Sequence, residues 1–177
     1  MNRFDLVPGL SAYQDVSISV EYLLKLTDGI EWKDATVGRT DESPVSDVSK
    51  NIRDASFKNL KDYIPLIDDV VMPYVEKHSE INSLDSLELE YYSLVRYTEG
   101  QFFAEHSDGG EFLPRRLSMV IYLNDDYAGG EISFTKFNTT IKPKEKTLVL
   151  FPSTEEYSHA AQPVISGTKY VLIGFWK

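Results

Sequence analysis

The sequence predicts a mostly β protein, a sandwich or jelly roll carrying N-terminal helices on its outside. Two observations predict it. After Ser83 the apolar residues change from helical spacing to a two-residue alternation. From there to the end, short strand-like runs follow one another, separated by turn-rich segments such as NDDYAGG and KPKEK.

The first helix is expected between Val16 and Asp28, with Val20, Leu23 and Leu24 on one stripe, Ser17 or Ser19 as cap, and Gly29 suited to a left-handed end. A second stripe runs Phe57, Leu60, Ile64, Ile67, Val71, Tyr74 in steps of three and four. Pro65 and Pro73 fall inside it, and each proline removes a helical hydrogen bond, so a kinked or two-piece helix is expected. His78 continues this stripe and reads as a core or cap residue. Between the helices, residues 35–51 have the Asp, Ser, Thr, Gly and Pro content of a loop. The alternation Leu87, Leu89, Tyr91, Ser93, Val95, Tyr97 then predicts a half-buried strand with Tyr97 pointing inward. Further strands are expected at 116–124, 131–134, 139–142, 147–151 and 169–176.

A chain of 177 residues can bury one sizeable core, so a single domain is expected, with a helical preface over 1–84 and a catalytic core over 85–177. No cysteine is present, which leaves imidazole and carboxylate as the ligands of any metal site. The formal charge of −10 disfavours a nucleic-acid partner. The N-terminus lacks the apolar stretch of a signal peptide and the longest apolar run, Tyr170 to Trp176, is far too short for a bilayer, so a cytoplasmic protein without a membrane partner is expected.

Two of the three histidines stand in distinctive surroundings, EHSDGG and YSHAAQPV. In an extended segment His106 and Asp108 project to the same side. His159 can complete a trio of two imidazoles and one carboxylate, which leaves three adjacent coordination positions open on an octahedral metal. That arrangement suits Fe(II), and the ligands alone also admit Zn, Mn or Ni. Lys169 begins the otherwise apolar run KYVLIGFW, so its ammonium, if turned inward, needs an anion. At a strand edge with its head in water it needs none.

The segment from Tyr97 to Lys169 resembles the catalytic core of prolyl 4-hydroxylase-like Fe(II)/2-oxoglutarate-dependent dioxygenases. The resemblance rests on YTEGQFFAEHSD, RRLSMVIYLND, GGEISF, PKEKTLVLFP, His159, and the pattern from Val164 to Tyr170 with Lys169 about ten residues after His159. It implies a double-stranded β-helix (jelly roll, cupin-like) core. It further implies His106, Asp108 and His159 as iron ligands and Lys169, Tyr97 and Tyr122 as contacts to 2-oxoglutarate. Arg115 falls at the position associated with a peptide substrate, with Glu111 and Phe112 as neighbouring candidates in the 107–114 loop. Two positions depart from the pattern: Ile132 stands where many relatives have threonine, and Phe175, not Trp176, falls at the usual tryptophan spacing.

The implied reaction uses Fe(II), 2-oxoglutarate and O₂, with ascorbate as a further candidate, and hydroxylates a substrate with release of succinate and CO₂. A prolyl residue in a peptide is the expected substrate. A free amino acid or small metabolite is the alternative within the class, and a non-oxidative metal-binding cupin is the alternative outside it.

Overall fold

The computed structural model describes residues 2–36, 50–111 and 113–177. Fifteen strands and two α-helices make up most of the described chain. Along the sequence these are β1 (Asn2–Val7), β2 (Leu10–Gln14), α1 (Val20–Leu26), β3 (Lys33–Asp34), β4 (Arg53–Asp54), β5 (Ser56–Asn59) and α2 (Ile64–Asn82). There follow β6 (Leu89–Tyr97), β7 (Phe102–His106), β8 (Leu117–Tyr122), β9 (Ala128–Gly129), β10 (Ile132–Phe134) and β11 (Thr139–Ile141). The last are β12 (Thr147–Pro152), β13 (His159–Ala161), β14 (Val164–Ser166) and β15 (Lys169–Trp176).

The major sheet has eight strands in the order β1-β2-β12-β8-β15-β6-β5-β3, and the minor sheet five in the order β11-β10-β13-β7-β4. Strands that alternate between two sheets in this way form the expected jelly roll. Its long strands are buried on both faces, because the helices cover the outer face of the major sheet. Leu148 and Leu150 of β12 join Tyr92, Leu94, Ile121 and Leu172 against Leu23, Ile67, Val71 and Val75 of the helices. Their neighbours Val149 and Phe151 point the other way, into the space between the sheets, with Val95, Tyr97, Tyr122, Phe134 and Val171. This corrects the half-buried reading of β6: from Tyr92 to Val95 every residue is buried, while Tyr97 is inward as expected.

The N-terminal region differs from the sequence reading in three respects. Residues 2–14, assigned to the helical preface over 1–84, form a hairpin whose second strand pairs with β12. Phe57 belongs to a strand and pairs with Val95, so a helical spacing was overridden by strand pairing. α2 therefore starts later, with Pro65 in its first turn, where its missing N–H is harmless, and it runs unbroken past Pro73 for 19 residues. α1 is also shorter than expected. Ser19 caps it by accepting from Tyr22 N at 3.3 Å, and Thr27 closes it through a hydroxyl bond to Leu23 O at 2.7 Å. Gly29 stays out of the left-handed region. Most of the 35–51 loop lies outside the described residues; Ala35 is buried within the fold. Among the described residues no helix is long and apolar enough to cross a membrane.

Candidate active site

The two sheets present their functional side chains toward one another. On the minor sheet, β13 pairs with β7 in a register that sets His159 directly opposite His106. Residues opposed in this way share a face, so both imidazoles project to one side. Asp108 follows β7 by two residues, and the ligand atoms of His106, Asp108 and His159 all lie within 4.8 Å of one another. His106 Nε2 is 3.4 Å from Asp108 Oδ1, and His159 Nε2 is 3.6 Å from Asp108 Oδ2.

The hydrogen bonds of the rings fix which nitrogen faces the centre. His106 Nδ1 lies 2.8 Å from Ala104 O and His159 Nδ1 lies 3.0 Å from Tyr157 O. A carbonyl accepts only, so both Nδ1 atoms carry the hydrogen and both Nε2 atoms offer a lone pair beside the carboxylate. Stacking holds the rings in place: Phe103 lies 3.5 Å from His106 at 14°, and His159 packs among Phe134 and Phe151. Burial pushes the His159 pKa down to about 4, against the pull of Asp108, so the ring is neutral at physiological pH. Burial acts to raise the Asp108 carboxyl, but His159, His106 and a Ser118 hydrogen bond outweigh it and hold the group ionised. Two imidazole nitrogens converging on a buried carboxylate form a donor set that suits a divalent metal such as Fe(II).

On the facing sheet, Lys169 is opposite Tyr97 in the β15–β6 register, and Val171 two residues on is opposite Tyr122. All three polar side chains therefore share the inner face. Lys169 Nζ sits 5.1 Å from the Tyr97 ring centroid and 5.2 Å from that of Tyr122, and all three residues are buried. Its resolved bond is to Gly130 O at 2.7 Å, which leaves two of three ammonium donors for another partner. Burial drags the Lys169 pKa down to about 7, partly offset by Glu131. Gly130 is required here: at φ +66 a side chain is strained, and a Cβ would approach Tyr127 Cε2 at 3.0 Å and Lys169 Cδ at 3.1 Å.

The remaining candidates are spread around this centre. Arg115 spends its guanidinium inside the protein. Its Nε and Nη2 hold Glu90 at 2.7 and 3.1 Å, Nη2 also reaches Tyr91 Oη at 3.2 Å, and Nη1 meets Asp108 O at 3.3 Å. Phe175 supports it from below, 4.0 Å from its ring centroid to the guanidinium carbon. Glu111 is exposed on the turn after Asp108, and Phe112 lies outside the described residues. Ile132 is buried in the inner core.

Sequence reasoning missed four contributors. Arg53 lies over Phe103 at 4.5 Å, and its positive charge opposes the rise that burial gives the Tyr97 phenol; it precedes the HxD segment by some fifty residues and only the β4–β7 pairing brings it in. Phe103 stands three residues before His106, a spacing that puts two residues on opposite faces of a regular strand, and the β13–β7 pairing is irregular between them. Ser118 and Ser153 are buried with their hydroxyls 2.7 Å apart, and Ser118 helps to hold the Asp108 carboxyl below its ordinary range.

Residues 92–177 match the model of the 2OG-Fe(II) oxygenase superfamily. The chain is 29% identical to a putative prolyl 4-hydroxylase of Acanthamoeba polyphaga mimivirus, over 74% of this chain and 61% of that relative, so it spans less than two thirds of the relative's length. Among solved structures it resembles the viral collagen prolyl hydroxylase of Paramecium bursaria Chlorella virus-1 in its 2OG complex, with a TM-score of 0.71, 20% identity and 95% of each chain covered. It resembles a Trichoplax adhaerens prolyl hydroxylase in complex with a hypoxia inducible factor peptide at TM-score 0.74 and 17% identity, covering 95% of this chain and 83% of that one. A Pseudomonas putida prolyl-4-hydroxylase matches at TM-score 0.73 and 18% identity, with 96% and 92% covered. At such identities the structural likeness establishes the fold, the double-stranded β-helix.

Proposed function

We propose that this chain, whose residues 92–177 belong to the 2OG-Fe(II) oxygenase superfamily, is an Fe(II)- and 2-oxoglutarate-dependent dioxygenase that hydroxylates a prolyl residue in a peptide or protein, releasing succinate and CO₂. One observation carries the reading beyond a metal site of unspecified use: a buried lysine with free donors, flanked by two tyrosines, faces the His106, Asp108 and His159 trio from the opposite sheet.

Bound at the trio, Fe(II) together with 2-oxoglutarate and O₂ would supply the oxidising power that inserts oxygen into a C–H bond. The chain's residues do the rest. His106 and His159 present Nε2 lone pairs because their Nδ1 hydrogens are committed to backbone carbonyls. Asp108 stays ionised and supplies the negative charge that a divalent cation needs. Lys169 takes the far carboxylate of 2-oxoglutarate as the anion that its buried ammonium otherwise lacks, with the Tyr97 and Tyr122 phenols on either side. Phe103, Phe134 and Phe151 line the imidazoles and exclude water from the reacting centre. Arg115, which bonds Asp108 O, and Glu111, exposed on the turn after Asp108, are the substrate-side candidates together with Phe112 of the sequence-derived 107–114 loop, and Arg53 joins them from β4.

The test is anaerobic addition of Fe(II) and 2-oxoglutarate, which is expected to give the weak visible absorption of a chelated oxo acid, followed by admission of air with proline-containing peptides. Peptide-dependent succinate and a peptide mass gain of one oxygen are expected. Full succinate production by His106→Ala or Asp108→Ala would refute the metal assignment, and turnover with free amino acids alone would replace the peptide substrate by a small one.

A further inference from the structure

β1 is the terminal strand of the major sheet, paired to β2 on one side, and among the described residues no strand lies against its other edge. Phe4 is 50% exposed and Leu6 39% exposed on this strand, both among the large apolar side chains that the fold leaves in water. Edges of this kind are templates for pairing unless charge, proline or distortion blocks them.

We propose that the β1 edge is a self-association surface, on which a second copy of this chain pairs antiparallel about a two-fold axis through Phe4. The charge pattern of the strand selects both the partner and the register. Arg3 and Asp5 share one face, where they lie opposite Tyr13 and Ser11 of β2, while Phe4 lies opposite Ala12 on the other face. A two-fold axis perpendicular to the sheet keeps the faces aligned, so only pairings centred on a residue continue the sheet. Centring on Arg3 sets Arg3 against Arg3, and centring on Asp5 sets Asp5 against Asp5. Centring on Phe4 sets Arg3 of each copy against Asp5 of the other and stacks Phe4 on Phe4.

Within one chain Arg3 Nη2 already meets Asp5 Oδ1 at 2.5 Å, so two copies would close a ring of four alternating charges. The chain as a whole is at −10 and repels its copies, yet β1 holds one cation and one anion and is locally neutral. Its pairing with β2 becomes irregular between Asp5 and Val7, which confines the contact to the Arg3–Asp5 centre. Such a short contact fits a weak, reversible dimer.

Light scattering on a sizing column, with loading from about 5 to about 500 µM, is expected to show a concentration-dependent dimer. Phe4→Asp, at a half-exposed position, and the single reversals Arg3→Asp and Asp5→Arg should each weaken it at least about tenfold, with circular dichroism unchanged. An equimolar mixture of Arg3→Asp and Asp5→Arg restores complementarity and should return the dimer. A monomer at every concentration, open-ended larger assemblies, or a dimer indifferent to these substitutions would overturn the proposal. So would a mixture of well-folded reversals that stays monomeric.

Discussion

Lys169→Met is expected to stabilise the ligand-free protein while abolishing its response to 2-oxoglutarate. Lys169 is 2% exposed and its pKa falls to about 7 from an ordinary 10.5. At roughly 1.4 kcal/mol per unit, folding at pH 7 costs about 4 kcal/mol in partial neutralisation and burial of this one ammonium. Methionine is close in shape and carries no charge. Its substitution loses the bond to Gly130 O and leaves that carbonyl unpaired, a cost of roughly 1–3 kcal/mol. The net gain is therefore about 1–3 kcal/mol, or roughly 3–10 °C in Tm for a chain of this size. The pH dependence has a definite sign. The folded pKa lies below the unfolded one, so wild-type stability falls as pH drops from about 10.5 through about 7, and the variant lacks that slope. A carboxylate partner restores the charge, so 2-oxoglutarate binding near pH 8 should take up a proton, seen as a buffer-dependent enthalpy. Differential scanning fluorimetry with and without 2-oxoglutarate reads the main effect. A lower Tm for ligand-free Lys169→Met, or a 2-oxoglutarate shift that survives the substitution, would refute the reasoning.

Three further outcomes are expected. His78 is fully buried in α2, with both ring nitrogens unpartnered among the described residues, and burial together with Arg3 takes its pKa to about 4, against Asp5. Because the folded value is below the unfolded 6.5, stability should fall by about 2 kcal/mol between pH 7.5 and pH 5, and His78→Leu should flatten that part of the chemical-denaturation profile relative to wild type. Ser118→Ala removes a hydroxyl that helps to keep Asp108 ionised and strands Ser153 without its partner, so Fe(II) affinity measured by competition with a chromophoric chelator should drop roughly 10–100-fold; unchanged affinity would show that Ser118 does not support the carboxylate. Gly130→Ala forces a Cβ into left-handed backbone beside Lys169 and Tyr127, and should raise the apparent Kd for 2-oxoglutarate while leaving Fe(II) affinity within about twofold.

Much of the site was legible in order along the chain because its chemistry is carried by scarce residue types at short spacings. His106 and Asp108 fall on one side of an extended segment, and Lys169 stands at the head of an apolar strand. The strands from β6 to β15 were legible for a similar reason: alternation and turn residues are local signals. The helical boundaries were less so, since Phe57 and Pro65 fit a helical stripe until strand pairing claims the first and the helix start absorbs the second.

What the amino-acid sequence determined by itself is thus a candidate donor set, an acidic chain without thiols, and a β-rich C-terminal half. Tertiary structure alone decided that His159 lies opposite His106, that Lys169 lies opposite Tyr97, that Arg53 and Ser118 converge on the same centre, and that residues 2–14 join the major sheet. The physical reason is that register is a long-range quantity. A strand's side-chain period shows which residues share a face, but which partner stands across the ladder depends on every connection and packing contact between them.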